Sequence, residues 1–147
     1  MTDATTPHVL LVEDNPGDVR LTQEALDESE TDVRLHVVTD GVEAIEYLAK
    51  EGDHANAPAA DVVLLDLNLP RKSGEEVLET IREDDSLPTP PVVVLTSSDA
   101  AEDVARSYEL SANAYLTKPV APDEFIATIE QFETFWLSTA HLPPGEV

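Results

Sequence analysis

The stretch DVVLLDL, residues 61–67, decides the fold of this chain. Its valines and leucines are apolar at successive positions, so a strand formed here needs cover on both faces, as in a parallel sheet packed between two layers of helices. Asp66 ends the apolar run, where an isolated carboxylate is costly to bury. The stretch therefore predicts a central strand with a special acid at its carboxyl end.

Four other short apolar runs lie on either side of this strand, and each of the five is followed by a longer amphipathic stretch. The alternation predicts right-handed crossovers and an α/β fold with an open, doubly wound sheet. The predicted strands are residues 8–12, 34–38, 61–67, 91–95 and 113–117, and the predicted helices are 17–29, 41–50, 74–84, 99–110 and 122–139. The count fits a flavodoxin-like (βα)5 fold, a five-stranded parallel sheet of order 2-1-3-4-5.

Helix start signals support these boundaries. Each predicted helix begins with a polar capping residue or a proline: Asn15-Pro16, Thr39-Asp40, Ser73, Ser98-Asp99 and Pro122-Asp123. We expect one domain over residues 1–140 and a short C-terminal tail over 141–147. Nothing after residue 140 is long enough for an output domain, so we expect a stand-alone domain.

The residues that leave the strands are candidates for chemistry, because ligands of such sheets bind beyond the carboxyl ends of the strands at the switch point. Glu13 and Asp14 follow the first strand, Asp66 the third, Thr96 the fourth and Lys118 the fifth. Acidic pairs are common in a chain with 31 acids, so only the position of the first pair is informative. All five side chains are predicted to meet at one edge of the sheet.

Three carboxylates at this edge would raise one another's pKa unless a cation joined them. Mg²⁺ is the natural choice, because it takes a few carboxylates, keeps several waters and bridges to phosphate oxygens. Lys118 adds a second positive charge, and the Thr96 hydroxyl can donate to an anionic oxygen. A carboxylate nucleophile, a metal, a lysine and a hydroxyl together indicate phosphoryl transfer.

Residues 7–137 resemble the receiver domain of two-component response regulators. HVLLVEDNPGD (8–18) is similar to that family's first strand and acidic pair, and DVVLLDLNLPRKSG (61–74) to its phosphoacceptor strand and following loop. VVVLTSS (92–98) and AYLTKPV (114–120) are similar to its last two strands. The motifs occur in the family's order and spacing, which makes the resemblance specific.

The resemblance implies a role for each acid. Asp66 would accept a phosphoryl group from a phosphohistidine on a partner sensor histidine kinase. Asp14 and Asp66 would hold Mg²⁺ (or Mn²⁺) directly, Glu13 would act through water, and the Asn68 backbone carbonyl would be a further ligand. The protein would be a signalling protein and not an enzyme in the usual sense, with self-phosphorylation and autodephosphorylation as its only reactions.

The resemblance also implies a conformational switch. Lys118 would pair with one phosphoryl oxygen, and Thr96 would move to bond another. Tyr115 matches the aromatic residue that changes rotamer as that threonine moves. The output would be a population shift of the face formed by the fourth helix, fifth strand and fifth helix.

The stretches EDNPGDVRLTQEAL (13–26) and FETFWL (132–137) are similar to single-domain regulators that partner phytochrome-type sensor histidine kinases. The second stretch lies in the last predicted helix, which has more apolar width than one sheet face needs. Its apolar residues are Phe125, Ile126, Ile129, Phe132, Phe135 and Trp136. The excess predicts a homodimer that uses the fifth helix.

Composition limits the partners and the compartment. The formal net charge is −23, which disfavours binding to nucleic acid or an anionic membrane and suggests a halophilic protein. The chain has no cysteine, no apolar run long enough for a membrane span and no signal-peptide pattern, so a cytoplasmic protein is the default expectation. The histidines (8, 36, 54 and 141) show no ligand spacing and are interpreted as structural or exposed.

Two alternatives remain at this point. A phosphatase of the haloacid dehalogenase kind would share the Asp nucleophile and Mg²⁺, but its second acid is replaced here by Asn68. A receiver-like scaffold that is never phosphorylated would not need Glu13, Asp14, Asp66, Thr96 and Lys118 together. Each site residue could also be structural: a buried hydrogen-bonded acid, a helix cap, a solvated lysine or a packed tyrosine.

Overall fold

The computed structural model describes residues 6–28, 32–98 and 100–139. Five strands, β1 (His8–Val12), β2 (Arg34–Val38), β3 (Val62–Leu65), β4 (Val92–Thr96) and β5 (Ala114–Thr117), form one parallel sheet in the order β2-β1-β3-β4-β5. Five helices alternate with them: α1 (Pro16–Asp27), α2 (Gly41–Ala49), α3 (Gly74–Glu83), α4 (Ala101–Glu109) and α5 (Pro122–Phe132). The predicted fold and strand order are confirmed.

The sheet has a hydrophobic core on each face. Every residue of β3 is buried, as its unbroken apolar run predicts. On one face Leu10 and Val63 pack with residues of α2 and α3 and with Leu110, which follows α4. On the other face Val9 and Leu64 pack with residues of α1 and α5. Successive strand residues therefore enter opposite cores, which fixes the direction in which each strand end presents its polar residues.

Three helices begin at the predicted caps. Asn15 accepts hydrogen bonds from the backbone of the first turn of α1, and Asp40 does so for α2. Ser73 forms a reciprocal capping box with Glu76 at the start of α3. These caps set where each helix leaves the carboxyl edge of the sheet.

Most predicted helix boundaries lie within two residues of the observed ones, and the strand predicted over 61–67 is shorter, at Val62–Leu65. Helix α4 begins at Ala101, two residues later than predicted, and its cap position is Ala100, whose side chain cannot accept a hydrogen bond. The Ser98 hydroxyl, before the helix, donates to the Asp103 carboxylate and accepts from Ala100 N–H. Asp99, the other predicted start residue, lies outside the described residues. The last segment is helical to residue 139, as predicted, but α5 ends at Phe132 and the continuation over Glu133–Thr139 is a π-helix. The predicted tail at 141–147 and His141 also lie outside the described residues.

Two long connections, residues 50–61 and 84–91, lead into β3 and β4 at the amino edge of the sheet. The first contains a short 3₁₀ helix at Gly52–His54. Near this edge a row of rings runs from His8 through His36 and Tyr47 to His54, with centroid separations of 5.2, 5.8 and 5.3 Å. His8 Nδ1 and His36 Nε2 are 3.0 Å apart and share a hydrogen bond. Burial, helped by the neighbouring His8 and Arg34, lowers the pKa of His36, which favours its neutral form. These three histidines pack in one row of rings, which fits the interpretation that they are structural.

No helix among the described residues is long and apolar enough to cross a membrane.

Candidate functional site

The backbone ladder continues one residue past three strand ends and places the site side chains at the carboxyl edge. Glu13 N donates to Val38 O at 3.0 Å, and Asp66 N donates to Val12 O at 3.1 Å. Lys118, just beyond the end of β5, is held in the same way by a 2.7 Å bond from its N–H to the carbonyl of Thr96. The polar residues after the strands are therefore held by the sheet itself.

Three carboxylates surround the Lys118 ammonium. Its Nζ lies 2.5 Å from Glu13 Oε1, 2.9 Å from Asp66 Oδ2 and 2.9 Å from Asp18 Oδ2. The lysine side chain is only 9% exposed, and those of Glu13 and Asp66 are 2% and 7% exposed. Such shielded ion pairs are much less screened by salt than surface pairs.

Glu13, Asp14 and Asp66 form an acidic group. Each offers a carboxylate oxygen, and these oxygens lie within 4.8 Å of one another. Glu13 and Asp66 are buried, whereas Asp14 is exposed and opens the group to solvent. A set of hard oxygen donors with one open side fits a divalent cation of the Mg²⁺ type.

Burial and mutual contact shift the pKa values of Glu13 and Lys118. Burial raises the pKa of Glu13 to about 7, although the Lys118 bond and charge act in the opposite direction. Burial would lower the pKa of Lys118, but its bonds to Glu13, Asp18 and Asp66 outweigh that effect and raise it. The ammonium therefore stays charged, and the carboxylates outnumber it.

Thr96 supplies a polar group that the protein leaves without a partner. It is the last residue of β4 and is fully buried, and its Oγ1 makes no hydrogen bond within the described part of the chain. Buried hydroxyls are normally satisfied, so an orphaned one beside a cluster of charges suggests a ligand oxygen that completes it. This observation fits the predicted contact of Thr96 with an anionic oxygen.

The loop after β3 is built around Asp66. Asn68 N–H donates to Asp66 Oδ1 at 3.1 Å, while the Asn68 residue itself is exposed. The loop is closed by Gly74, whose N–H donates to the Leu67 carbonyl at 3.0 Å. Asn68 thus contacts the predicted phosphoacceptor through its backbone N–H. Its predicted use as a metal ligand through the carbonyl stays a prediction.

Tyr115 lies outside the carboxylate cluster. Its hydroxyl donates to the Ser98 carbonyl at 2.7 Å, which joins β5 to the segment that follows Thr96. A movement of that segment would therefore act on Tyr115 directly. The predicted switch role of Tyr115 stays a prediction.

Asp18 is the site residue that sequence reasoning missed. It lies in the first turn of α1 and reaches the same ammonium as Glu13 and Asp66. A helix that begins at the carboxyl edge of a sheet keeps its first turn close to that edge, so the spacing of Asp18 from the acidic pair was the available signal. Among 31 acids that signal is easily overlooked.

Comparison with known proteins gives a consistent result. Residues 9–130 match the response regulator receiver domain family. Response regulator Rcp1 of Synechocystis sp. is 43% identical over 145 residues, which cover 97% of this chain and 99% of that protein. The probable methanogenesis regulatory protein FilR2 of Methanothrix harundinacea is 37% identical, with coverage of 92% and 86%.

Solved structures agree with the sequence relatives. The phosphorylated cyanobacterial phytochrome response regulator RcpA superimposes with a TM-score of 0.89 at 46% identity, covering 94% of this chain and 99% of that one. The Mn²⁺-bound form of Rcp1 gives a TM-score of 0.88 at 44% identity, with coverage of 93% and 99%. These matches remove the haloacid dehalogenase alternative.

Proposed function

Because the chain belongs to the response regulator receiver domain family, we propose that Asp66 is its phosphoacceptor and that a sensor histidine kinase is the phosphoryl donor. The observation that carries the assignment is the contact of Asp66 with Lys118 inside the acidic group. Asp66 is the only acid of that group at the end of the central strand. The resemblance to phytochrome regulators suggests a phytochrome-type kinase as the partner.

The proposed step transfers one phosphoryl group between two side chains. A carboxylate oxygen of Asp66 attacks the phosphorus of a phosphohistidine, so a P–O bond forms as the P–N bond breaks. The leaving imidazole nitrogen takes the electron pair and later a proton. Lys118 pairs with a phosphoryl oxygen, and Thr96 donates its unused hydroxyl hydrogen to another. Catalysis then depends mainly on position and charge neutralisation.

Glu13, Asp14, Asp66 and the Asn68 carbonyl would hold Mg²⁺ or Mn²⁺, with Glu13 acting through water. Bound by these residues, a divalent cation would supply positive charge that offsets the charge of the incoming phosphoryl group. The acidic group supports this proposal, and a relative binds Mn²⁺. At Glu13 a proton and the metal compete, because the pKa of this acid is raised to about 7.

A direct test is phosphorylation by a small donor. The wild-type protein, incubated with Mg²⁺ and phosphoramidate in molar KCl, should gain the mass of one phosphoryl group. The adduct should be stable in acid and labile in base, as an acyl phosphate is, and chelation of the metal should prevent it. A protein that gains no phosphoryl group, from this donor or from a co-encoded kinase, would fit the scaffold alternative instead.

The proposed output is a population shift of the α4–β5–α5 face in a cytoplasmic signalling protein whose receiver domain spans residues 1–140. Thr96 and Tyr115 lie at the two ends of a path from the site to this face, because Tyr115 is bonded to the Ser98 carbonyl. A Thr96 that moves toward a phosphoryl oxygen would draw the following segment with it.

We also propose that α5 and its π-helical extension form a homodimer contact. Phe125, Ile129 and Phe132 are buried against the sheet, but Phe135 is 53% exposed and packs edge-on against Trp136. Leu116, Phe132, Phe135 and Trp136 line an apolar groove beside β5, which is an edge strand. A second copy that places the same surface here would cover both the groove and the exposed ring.

The dimer can be measured by light scattering. The measurement is made in molar KCl at a protein concentration of about tens of micromolar, at which interfaces of modest affinity associate. The wild type should have twice the monomer mass, and Phe135→Ser should be monomeric. Tyr108→Ser, which removes a similarly exposed ring from α4, is the control and should leave the mass unchanged. A monomeric wild type, with or without a phosphoryl analogue, would contradict the proposed contact.

The charge of −23 supports a halophilic protein, because carboxylates that repel in dilute buffer are screened in concentrated salt. We expect the melting temperature to rise by about 5 °C or more between low and molar KCl, which corresponds to more than ~1 kcal/mol for a domain of this size. Differential scanning fluorimetry would measure it. A melting temperature that is flat over this range would contradict the proposal.

A further inference from the structure

Lys118 has as many carboxylate partners as it has hydrogens to donate. The ammonium carries three N–H donors. In the structure Nζ lies 2.5, 2.9 and 2.9 Å from one oxygen each of Glu13, Asp18 and Asp66, and it donates hydrogen bonds to Asp18 and Asp66. The three acids come from three places in the fold, namely the end of β1, the first turn of α1 and the end of β3.

Two of these acids have other roles in the proposed reaction. Asp66 becomes an acyl phosphate, so the oxygen it offers to Lys118 is replaced by a phosphoryl oxygen. Glu13 belongs to the acidic group that fits a metal ion. The bonds of Lys118 to Glu13 and Asp66 must therefore change or be shared during the reaction.

Asp18 has no role in the proposed reaction as phosphoacceptor or as a member of the acidic group. Its carboxylate is not part of the group of oxygens that lie within 4.8 Å of one another. Its backbone is held on both sides, because Asp18 N–H donates to the Asn15 cap at 3.2 Å and its carbonyl accepts a 2.8 Å bond from the Thr22 hydroxyl. The Asp18 side chain is 24% exposed, so it is partly buried.

We propose that Asp18 is a positioning residue that holds the Lys118 ammonium in place throughout phosphoryl transfer. A lysine has a flexible four-carbon stem that would otherwise sample several rotamers. A bond to the first turn of α1 that is independent of the phosphorylation state keeps the charge where the phosphoryl oxygen arrives. This inference rests on the proposed function of Asp66 as the phosphoacceptor.

Two variants of Asp18 separate position from charge. Asp18→Asn keeps an oxygen that can accept a bond from Lys118 but removes the negative charge, and Asp18→Ala removes both. Asp123→Ala, which removes an acid from the first turn of α5, is the matched control. With phosphoramidate and saturating Mg²⁺ we expect Asp18→Ala to be phosphorylated about tenfold more slowly, since a charged hydrogen bond is lost. Asp18→Asn should stay within about threefold of the wild type.

A second measurement observes the lysine directly. The chain has only three lysines, Lys50, Lys72 and Lys118, so a spectrum of ¹³C-labelled lysine is simple to assign. A held side chain gives two distinct signals for its ε-methylene protons, whereas a freely rotating one gives nearly a single signal. Without any donor Glu13 and Asp66 still contact Lys118, so Asp18→Ala should narrow the separation of the Lys118 pair, while Asp18→Asn and Asp123→Ala should leave it unchanged.

Three results would overturn the inference. They are an Asp18→Ala protein phosphorylated at the wild-type rate, an Asp18→Asn protein as slow as Asp18→Ala, and a Lys118 signal pair whose separation in Asp18→Ala equals that of the wild type. If the wild type is not phosphorylated at all, the proposed function fails, and the lysine spectra alone then decide whether Asp18 holds Lys118.

Discussion

Asp66→Asn should abolish the base-labile phosphoryl adduct. The amide cannot act as the nucleophile, and it removes one of the acids that form the metal group and bind Lys118. We expect labelling by phosphoramidate and Mg²⁺ to fall to background, as read from intact mass. The fold should persist, because an amide has nearly the same volume and can still accept the 3.1 Å bond from Asn68 N–H.

Asp85→Asn is the matched control, since Asp85 is exposed in the connection before β4 and contacts none of the site residues described above. It should be labelled like the wild type. An Asp66→Asn protein that is folded and still gains one phosphoryl group would place the acceptor at another acid and contradict the assignment. Circular dichroism in molar KCl would establish that both variants are folded.

Gly74→Ala should cause a large loss of stability. A Cβ at Gly74 would lie 2.2 Å from the Asp66 carbonyl oxygen and 2.7 Å from Leu67 Cα, which are backbone atoms that cannot move aside cheaply. The first turn of α3 must therefore shift away from the end of β3. We expect the free energy of unfolding to fall by about 3 kcal/mol, at the upper end of typical overpacking costs.

Gly17→Ala is the comparison for this measurement. There the added Cβ would meet only the Asn15 side-chain oxygen, at 3.2 Å. Urea unfolding in molar KCl should show a change well under 1 kcal/mol for Gly17→Ala, the usual range of substitutions that touch little. Equal stabilities for the two alanine variants would mean that α3 does not need to approach Asp66 so closely.

The fold could be predicted from sequence because its signals are local and agree with each other. The unbroken apolar run of Val62–Leu65 indicated a strand covered on both faces, and the structure buries every residue of it. Parallel topology then predicted that Glu13, Asp14, Asp66 and Lys118 meet at one edge, and they do. The topology turned positions far apart in sequence into neighbours without any side-chain geometry.

The features that sequence reasoning missed depend on backbone geometry and side-chain contacts that a hydrophobic period does not encode. The helical period of the last segment does not distinguish an α-helix from the π-helix at Glu133–Thr139. Helix α4 begins at Ala101 after a cap position held by Ala100, while Ser98 bonds to Asp103 and to Ala100 N–H before the helix. The histidines lacked ligand spacing, yet the register of β1 and β2 brings His8 within hydrogen-bond distance of His36.

The position of Trp136 gives the protein a built-in optical reporter. It is the only tryptophan in the chain, it lies partly buried beyond the end of α5, and it contacts Phe135 beside the edge strand. Its emission spectrum therefore comes from one known place on the α4–β5–α5 side and needs no attached dye. Phosphorylation kinetics, salt titrations and self-association of the unmodified protein could all be followed through the colour and intensity of this single indole.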